Sequence, residues 1–154
     1  MGKATGSVEI EASPEKVFDF VISEKMNNLM KEVYECKLTS EGPIGLGSTL
    51  HYTGTHRYNK GEEWNAEVTE FVRNKKLTIH CKGANKHSND QTNYYVFEPT
   101  TKGTNLTTSF EVKMPHSILG ELFFALVAKR IVKKDMLPKE GNKISENLKK
   151  ALET

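Results

Sequence analysis

The sequence predicts an α+β domain in which a curved antiparallel sheet wraps around a long C-terminal helix, with an apolar cavity between the two. Three observations carry this expectation. Short segments of period-two alternation run from Val33 to Val112 and are separated by turn residues. Such strands pair antiparallel, because a parallel crossover needs a dozen or more residues. Helical period is confined to the two ends of the chain, between Pro14 and Met30 and again after Pro115. Finally, Ile118, Leu119, Leu122, Phe123, Phe124, Leu126, Val127 and Ile131 make the segment from Pro115 to Leu137 apolar almost all round in its first turns. That pattern marks a helix buried on more than one side. A sheet with one apolar face must bury it against something, and only this helix is long and apolar enough.

Each element has a local cause. Val8, Ile10 and Ala12 alternate with polar residues and read as a first, half-buried strand. Ser13 can accept the first free N–H groups of a helix, and Pro14 suits its first turn, where a missing N–H costs nothing. Val17, Phe18, Val21 and Ile22 then share one face of a short amphipathic helix, and Met26, Leu29 and Met30 suggest a second turn of helix. Strands are expected over 33–39, 48–54 and 63–72, then from Leu77 to Cys81, over 92–98 and from Leu106 to Val112. The turns between them fall at 41–47, 59–61, 73–75 and 100–103, and a polar loop at 82–90. In the last segment Pro138 and Gly141 should interrupt the helix, which resumes with Ile144, Leu148 and Leu152. The order is strand, two helices, six strands, long helix.

A chain of 154 residues is expected to form one domain, 1–154, with about the first five residues a flexible lead. At this size folding buries roughly 70% of the surface the unfolded chain exposes, so a core is possible without staples. Lys and Arg number 22 against 20 Asp and Glu, far from the basic excess of a dedicated nucleic-acid binder. No apolar run is long enough to span a bilayer, and Met1 to Gly6 lacks the apolar stretch of a signal peptide. A cytoplasmic monomer is expected, one that neither binds nucleic acid nor inserts stably into a membrane. Cys36 and Cys81, the only cysteines, are then two reduced thiols.

Several motifs stand in one order along the chain. They are 8–21 (VEIEASPEKVFDFV), 45–48 (GLGS), 66–71 (AEVTEF), 95–99 (YVFEP) and 103–107 (GTNLT). With the element order, this set resembles the START-like superfamily, also called SRPBCC, and within it the polyketide cyclase/dehydrase group. The resemblance covers nearly the whole chain. It implies a helix-grip fold with a deep pocket between sheet and C-terminal helix, and ligands such as lipids, sterols, polyketides, quinones and plant hormones. The superfamily includes aromatase/cyclases, pure carriers and a chaperone-activator branch, so fold licenses a pocket and not a reaction. The Pro138–Gly141 break departs from the usual pattern.

The candidate chemistry is sparse. His51, His56, His80, His87 and His116 fit no metal-ligand spacing, so no metal and no cofactor are expected. His80 and His51 alternate out of phase with the apolar residues beside them and read as surface histidines. Gly42, Gly45 and Gly47 run in the wrong order for a dinucleotide loop, and a strand follows them, so they read as a hairpin turn. No Ser-His-Asp or Cys-His arrangement is evident, and Cys81 behaves as a small hydrophobe. Between Lys113 and Lys150, nine basic residues face four acidic ones, which reads as a solvated helix face or a weak steering field. The aromatic residues are more telling, because Tyr and Trp carry a polar atom that needs a partner when buried. Tyr52, Trp64, Tyr95, Phe97 and Phe110, with Leu122, Phe123 and Leu126 from the helix, are expected to line a mostly apolar pocket.

The function expected from these residues is binding or carriage of a small hydrophobic molecule. A cyclase or dehydratase needs an ionisable group inside the pocket, which the sequence does not assign. A protein-interaction module needs a filled core and a large exposed apolar patch. The C-terminal helix is expected to be essential to the fold in every case. Replacing Phe123 by Asp should lower stability by at least about 3–5 kcal/mol, the cost of losing a large buried aromatic. A melting curve checks this, and an unchanged midpoint would refute the placement of the helix.

Overall fold

The computed structural model describes residues 2–57 and 59–112. The helix expected from Pro115 onward, with Leu122, Phe123 and Leu126, lies outside the described residues, as does His116. The described chain contains nine elements: β1 (Gly2–Ile10), α1 (Pro14–Val21), α2 (Glu24–Leu29), β2 (Tyr34–Leu38), β3 (Thr49–Gly54), β4 (Glu63–Val72), β5 (Lys76–Gly83), β6 (Gln91–Pro99) and β7 (Thr104–Val112). The seven strands form one sheet in the order β1-β7-β6-β5-β4-β3-β2. Every pairing is antiparallel. Six strands therefore run as a meander, and β1 closes the other edge by returning beside the last of them.

The N-terminus differs from expectation. β1 starts at Gly2 and pairs along its whole length with β7, from Gly2 opposite Val112 to Ile10 opposite Thr104. Residues 2–5 are thus a paired strand and not a loose lead. The alternation hides this because Gly6, opposite Thr108, presents no apolar side chain. Main-chain hydrogen bonds hold a strand whatever its side chains are.

Ser13 caps α1 as its residue type predicts, accepting the Lys16 N–H at 3.3 Å with Pro14 in the first turn. Val17, Phe18 and Val21 are buried. Ser23 precedes α2 without capping it, and its hydroxyl donates instead to the Phe20 carbonyl at 2.6 Å. That bond ties the two short helices into one corner, from which Met26 and Met30 are buried.

The concave face of the sheet is apolar. It carries Leu50 and Tyr52 on β3, Trp64, Ala66 and Val68 on β4, Leu77, Ile79 and Cys81 on β5, and Tyr95 and Phe97 on β6, all buried. The convex face holds the polar partners. His51 Nδ1 lies 3.0 Å from Asn65 Oδ1, and His80 Nδ1 lies 3.2 Å from Thr92 Oγ1. Both histidines face away from the core, as their phase indicates.

One irregularity shapes this face. The β4–β5 register shifts between Val68 and Glu70, which marks a bulge with Thr69 unpaired. Simple alternation would turn Glu70 inward two residues after Val68. The extra residue turns Phe71 in instead and leaves Glu70 exposed. Phe71 then meets Phe18 edge to face, with ring centroids 5.2 Å apart, and Phe97 meets the same ring at 5.1 Å. α1 is thereby fixed to one end of the concave face.

The turns show where backbone conformation is demanded. Asn74 has φ +62° in the β4–β5 turn, a left-handed position that Asn tolerates. Gly103 ends the β6–β7 turn against the end of β1. A Cβ there would come within 2.2 Å of the Ile10 carbonyl oxygen, so only glycine fits. The next residue, Thr104, is fully buried and donates its hydroxyl to the Ala12 carbonyl at 2.7 Å.

Two neighbouring residues on α1 should differ sharply in worth. Phe18→Ala removes a fully buried ring with two aromatic partners and should cost about 3–5 kcal/mol. Asp19 accepts from Arg73 at 2.7 Å, but both side chains are about half exposed, so Asp19→Asn should cost about 1 kcal/mol or less. Urea unfolding of the two variants checks the order.

Candidate functional site

A pocket of about 600 Å³ opens between the α1–α2 corner, β2 and the concave face. Its floor is Leu50, Tyr52, Leu77, Ile79 and Tyr95, and Val21, Ile22 and Met26 close it from the helices. β2 supplies Tyr34, Cys36 and Leu38, and Ile44 reaches in from the β2–β3 loop. Four charged residues, Glu24, Lys31, Glu35 and Lys37, also border it, and all are exposed. Ser23, Asn27 and Asn28 add neutral polar groups from the helix corner, so the lining is mostly apolar with a few hydroxyl, amide and thiol groups, and the charges stay at the rim.

The strand register explains how the polar interior groups meet. Cys36 stands opposite Tyr52, and Tyr34 stands opposite Gly54. With no side chain facing it, the Tyr34 ring leans to its diagonal neighbour Tyr52, and the centroids lie 5.1 Å apart at 68°. The Tyr34 and Tyr95 phenols also come close enough to influence each other. Their strands are four steps apart in the sheet. In a flat sheet four steps span about 19 Å, further than two tyrosines can bridge. The Tyr34–Tyr95 contact therefore measures the curl of the sheet.

Burial keeps all of these groups neutral. Removal from water raises the Tyr34, Tyr52 and Tyr95 phenols above their ordinary value, and their mutual proximity raises Tyr34 and Tyr52 further. Burial lifts the Cys36 thiol to about 11, against a smaller opposing effect of its hydrogen bond with Tyr52. Cys81, beneath the floor, rises to about 12 for the same reason, partly offset by a hydrogen bond with Gln91. Asn93 donates to Cys81 Sγ at 3.8 Å, while its own buried Oδ1 has no partner among the described residues.

Of the residues expected to line a pocket, Tyr52 and Tyr95 do so. Trp64 is one strand further on, opposite Tyr52, and outside this wall. It is 4% exposed, and its indole N–H donates to the Asn89 carbonyl at 2.9 Å, which ties down the β5–β6 loop. Phe97 packs against Phe18, and Phe110 lies against the core from β7. Sequence reading missed Tyr34 and Cys36, although Tyr34, Cys36 and Leu38 alternate with Glu35 and Lys37 on one short strand. The helix residues Val21 and Met26 were legible as core but not as pocket wall.

Among the described residues, no group of three His, Cys, Asp or Glu side chains could hold a metal ion. No helix among them is long and apolar enough to cross a membrane.

The thiol gives a direct reading of the site. At pH 8 a thiol with a pKa near 11 holds about a hundredfold less thiolate than one near 9, so Cys36 should react with iodoacetamide about a hundredfold more slowly in the folded protein than in urea. The rate should climb about tenfold per pH unit up to that pKa, because only the thiolate attacks. Mass spectrometry of the labelled peptide checks both. Fast, pH-independent labelling in the native protein would contradict the burial of this group.

Comparison with known proteins agrees with the fold. No curated protein matches the chain. Among solved structures, TTHA0849 from Thermus thermophilus superposes with a TM-score of 0.71 at 18% identity, over 97% of this chain and 96% of that one. Major latex-like protein 151 from Panax ginseng gives 0.64 at 12%, over 98% and 97%. The KanY protein gives 0.64 at 19%, over the full length of both chains. At these identities the likeness is one of fold. The family described as polyketide cyclase / dehydrase and lipid transport matches residues 1–153. With its curled seven-stranded antiparallel sheet and near-complete match, this chain belongs to the polyketide cyclase / dehydrase and lipid transport family, within the SRPBCC type.

Proposed function

We propose that this chain binds and carries a small apolar molecule in the pocket between the α1–α2 corner and the concave face. The observation that carries this reading is the pocket itself, about 600 Å³ with an apolar interior and a few neutral donors. Ligand sites of roughly 300–1,000 Å³ with that balance are the usual form for small molecules. The family description, which spans both enzymes and lipid transport, supports binding more directly than reaction. Leu122, Phe123 and Leu126 would complete the wall from the C-terminal helix, and the protein would act as a monomer without nucleic acid.

The carrier reading is favoured over the cyclase or dehydratase reading by the chemistry of the wall. No histidine or aspartate lines the pocket among the described residues, and its two glutamates sit exposed at the rim. The groups inside are phenols and a thiol held neutral by burial. A general base should titrate near the working pH, and none of these does. The interaction-module reading has less support, because the exposed large apolar residues among the described ones are three, Leu38, Leu46 and Val72, and Leu38 already borders the pocket.

The test is a panel of fatty acids, sterols, quinones, flavonoids and aromatic polyketides, read by thermal shift. A ligand at one hundred times its dissociation constant should stabilise the native state by about 2.7 kcal/mol. Leu50 stands on the floor beside Tyr52, so Leu50→Trp should fill the space and abolish the shift. The reading fails if no compound stabilises the native protein, or if the folded Leu50→Trp variant responds as the native one does.

A further inference from the structure

The sheet has two outer edges, β1 and β2. β1 is the longer, with nine residues against five, and it pairs with β7 along its whole length. Among the described strands nothing pairs with its other side. The outward N–H and C=O groups of such an edge have no ladder partner, which makes the strand a template for another extended chain. The residues of β1 are also ordered about its centre. Gly6 is the middle residue of Gly2–Ile10, Thr5 and Ser7 flank it, and Lys3 and Glu9 stand at equal distances on either side. We propose that β1 pairs antiparallel with β1 of a second copy of this chain, about a two-fold axis at Gly6, joining the two sheets into one.

Charge selects this partner and this register. About Gly6, Lys3 stands opposite the second copy's Glu9, and Glu9 opposite its Lys3, so one pairing makes two opposite-charge pairs. A shift by two residues loses both, because Lys3 then meets Ser7, or Thr5 meets Glu9. A shift by one exchanges the two faces of the strand. Parallel pairing in register would set Lys3 against Lys3 and Glu9 against Glu9. Hydroxyl groups agree with the charges. On the convex face Thr5 bonds Ser109 at 3.1 Å and Ser7 bonds Thr107 at 2.8 Å. Thr5, Ser7 and Glu9 are exposed. The pairing sets Thr5 opposite the second copy's Ser7, so the row of hydroxyls continues across the axis. β2 also has opposite charges about its centre, Glu35 and Lys37, but its five residues offer about half the main-chain bonds. The β1 interface is self-complementary and narrow, so the dimer is weak and forms as concentration rises. No residue of β1 lines the pocket, so each copy keeps its own binding wall and the single chain remains the carrying unit.

Sedimentation equilibrium of the intact chain, from about 10 to about 500 µM, should show reversible association to a dimer. Lys3→Glu and Glu9→Lys should each weaken it at least about tenfold, because each sets like charges opposite one another twice. An equimolar mixture of these two variants should regain the native affinity, since every charge pair in the mixed dimer is again of opposite sign. Lys37→Glu, on the other edge of the sheet, should leave association unchanged. If a charge reversal prevents folding, cysteines at the opposed uncharged positions give the same reading. Oxidation of a mixture of Thr5→Cys and Ser7→Cys chains should yield a disulfide-linked dimer much faster than either variant alone, because only the mixture brings the new thiols directly opposite. A chain that stays monomeric over this range, a dimer indifferent to both charge reversals, no recovery on mixing, or a response to Lys37→Glu in their place would each overturn the pairing.

Discussion

Phe18 meets Phe71 and Phe97 in two edge-to-face contacts, and this three-ring cluster sets the layout of the rest of the described fold. It fixes the first helix to one end of the concave face, and the second helix follows it through the Ser23–Phe20 bond. The contact exists because β4 carries one residue too many. Without the bulge at Thr69, Glu70 would turn towards the core and Phe71 towards solvent. A single inserted residue thus decides both the register of the sheet beyond it and where the helices dock. The area they leave uncovered, towards β2 and β3, is the pocket.

The pocket has a steep gradient of polarity. Its rim is charged and wet, its walls are aliphatic, and its interior hydroxyls come from three tyrosines on three different strands. Those hydroxyls converge because the sheet bends enough for β2 to face β6 across the hollow. Curvature therefore does two things at once. It covers the apolar face, and it brings neutral donors together inside an apolar space, the arrangement that orients a small molecule without charge.

Much of this was legible in the sequence. Ser13-Pro14 marked the start of α1, and the alternation of Trp64, Ala66 and Val68 marked the inner face of β4 in the correct phase. The phase of His51 and His80 placed both on the outer face. Other features depended on information that alternation does not hold. The bulge preserves the residue types expected of a strand and changes only which side they face. The pairing of Gly2 to Gly6 rests on main-chain hydrogen bonds, to which side-chain pattern is blind. Tyr34 stands on the apolar face of an alternating five-residue strand, but alternation along one strand does not show which distant strand that face meets, and Tyr95 is four strands away. Trp64 illustrates the opposite limit. Its phase showed that it points inward, but only the sheet's geometry distinguishes a ring that packs beneath a loop from one that lines a hollow.

The wall that contributes Tyr34 and Cys36 is also an edge. β2 spans five residues and, among the described strands, is paired on one side only, to β3. Detaching it breaks a single short ladder, whereas detaching β5 or β6 breaks two long ones. Native-state opening is cheapest where the fewest main-chain bonds must be given up. The five residues that furnish a hydroxyl and a thiol to the pocket are therefore the part of its wall that opens at the least cost in main-chain bonds.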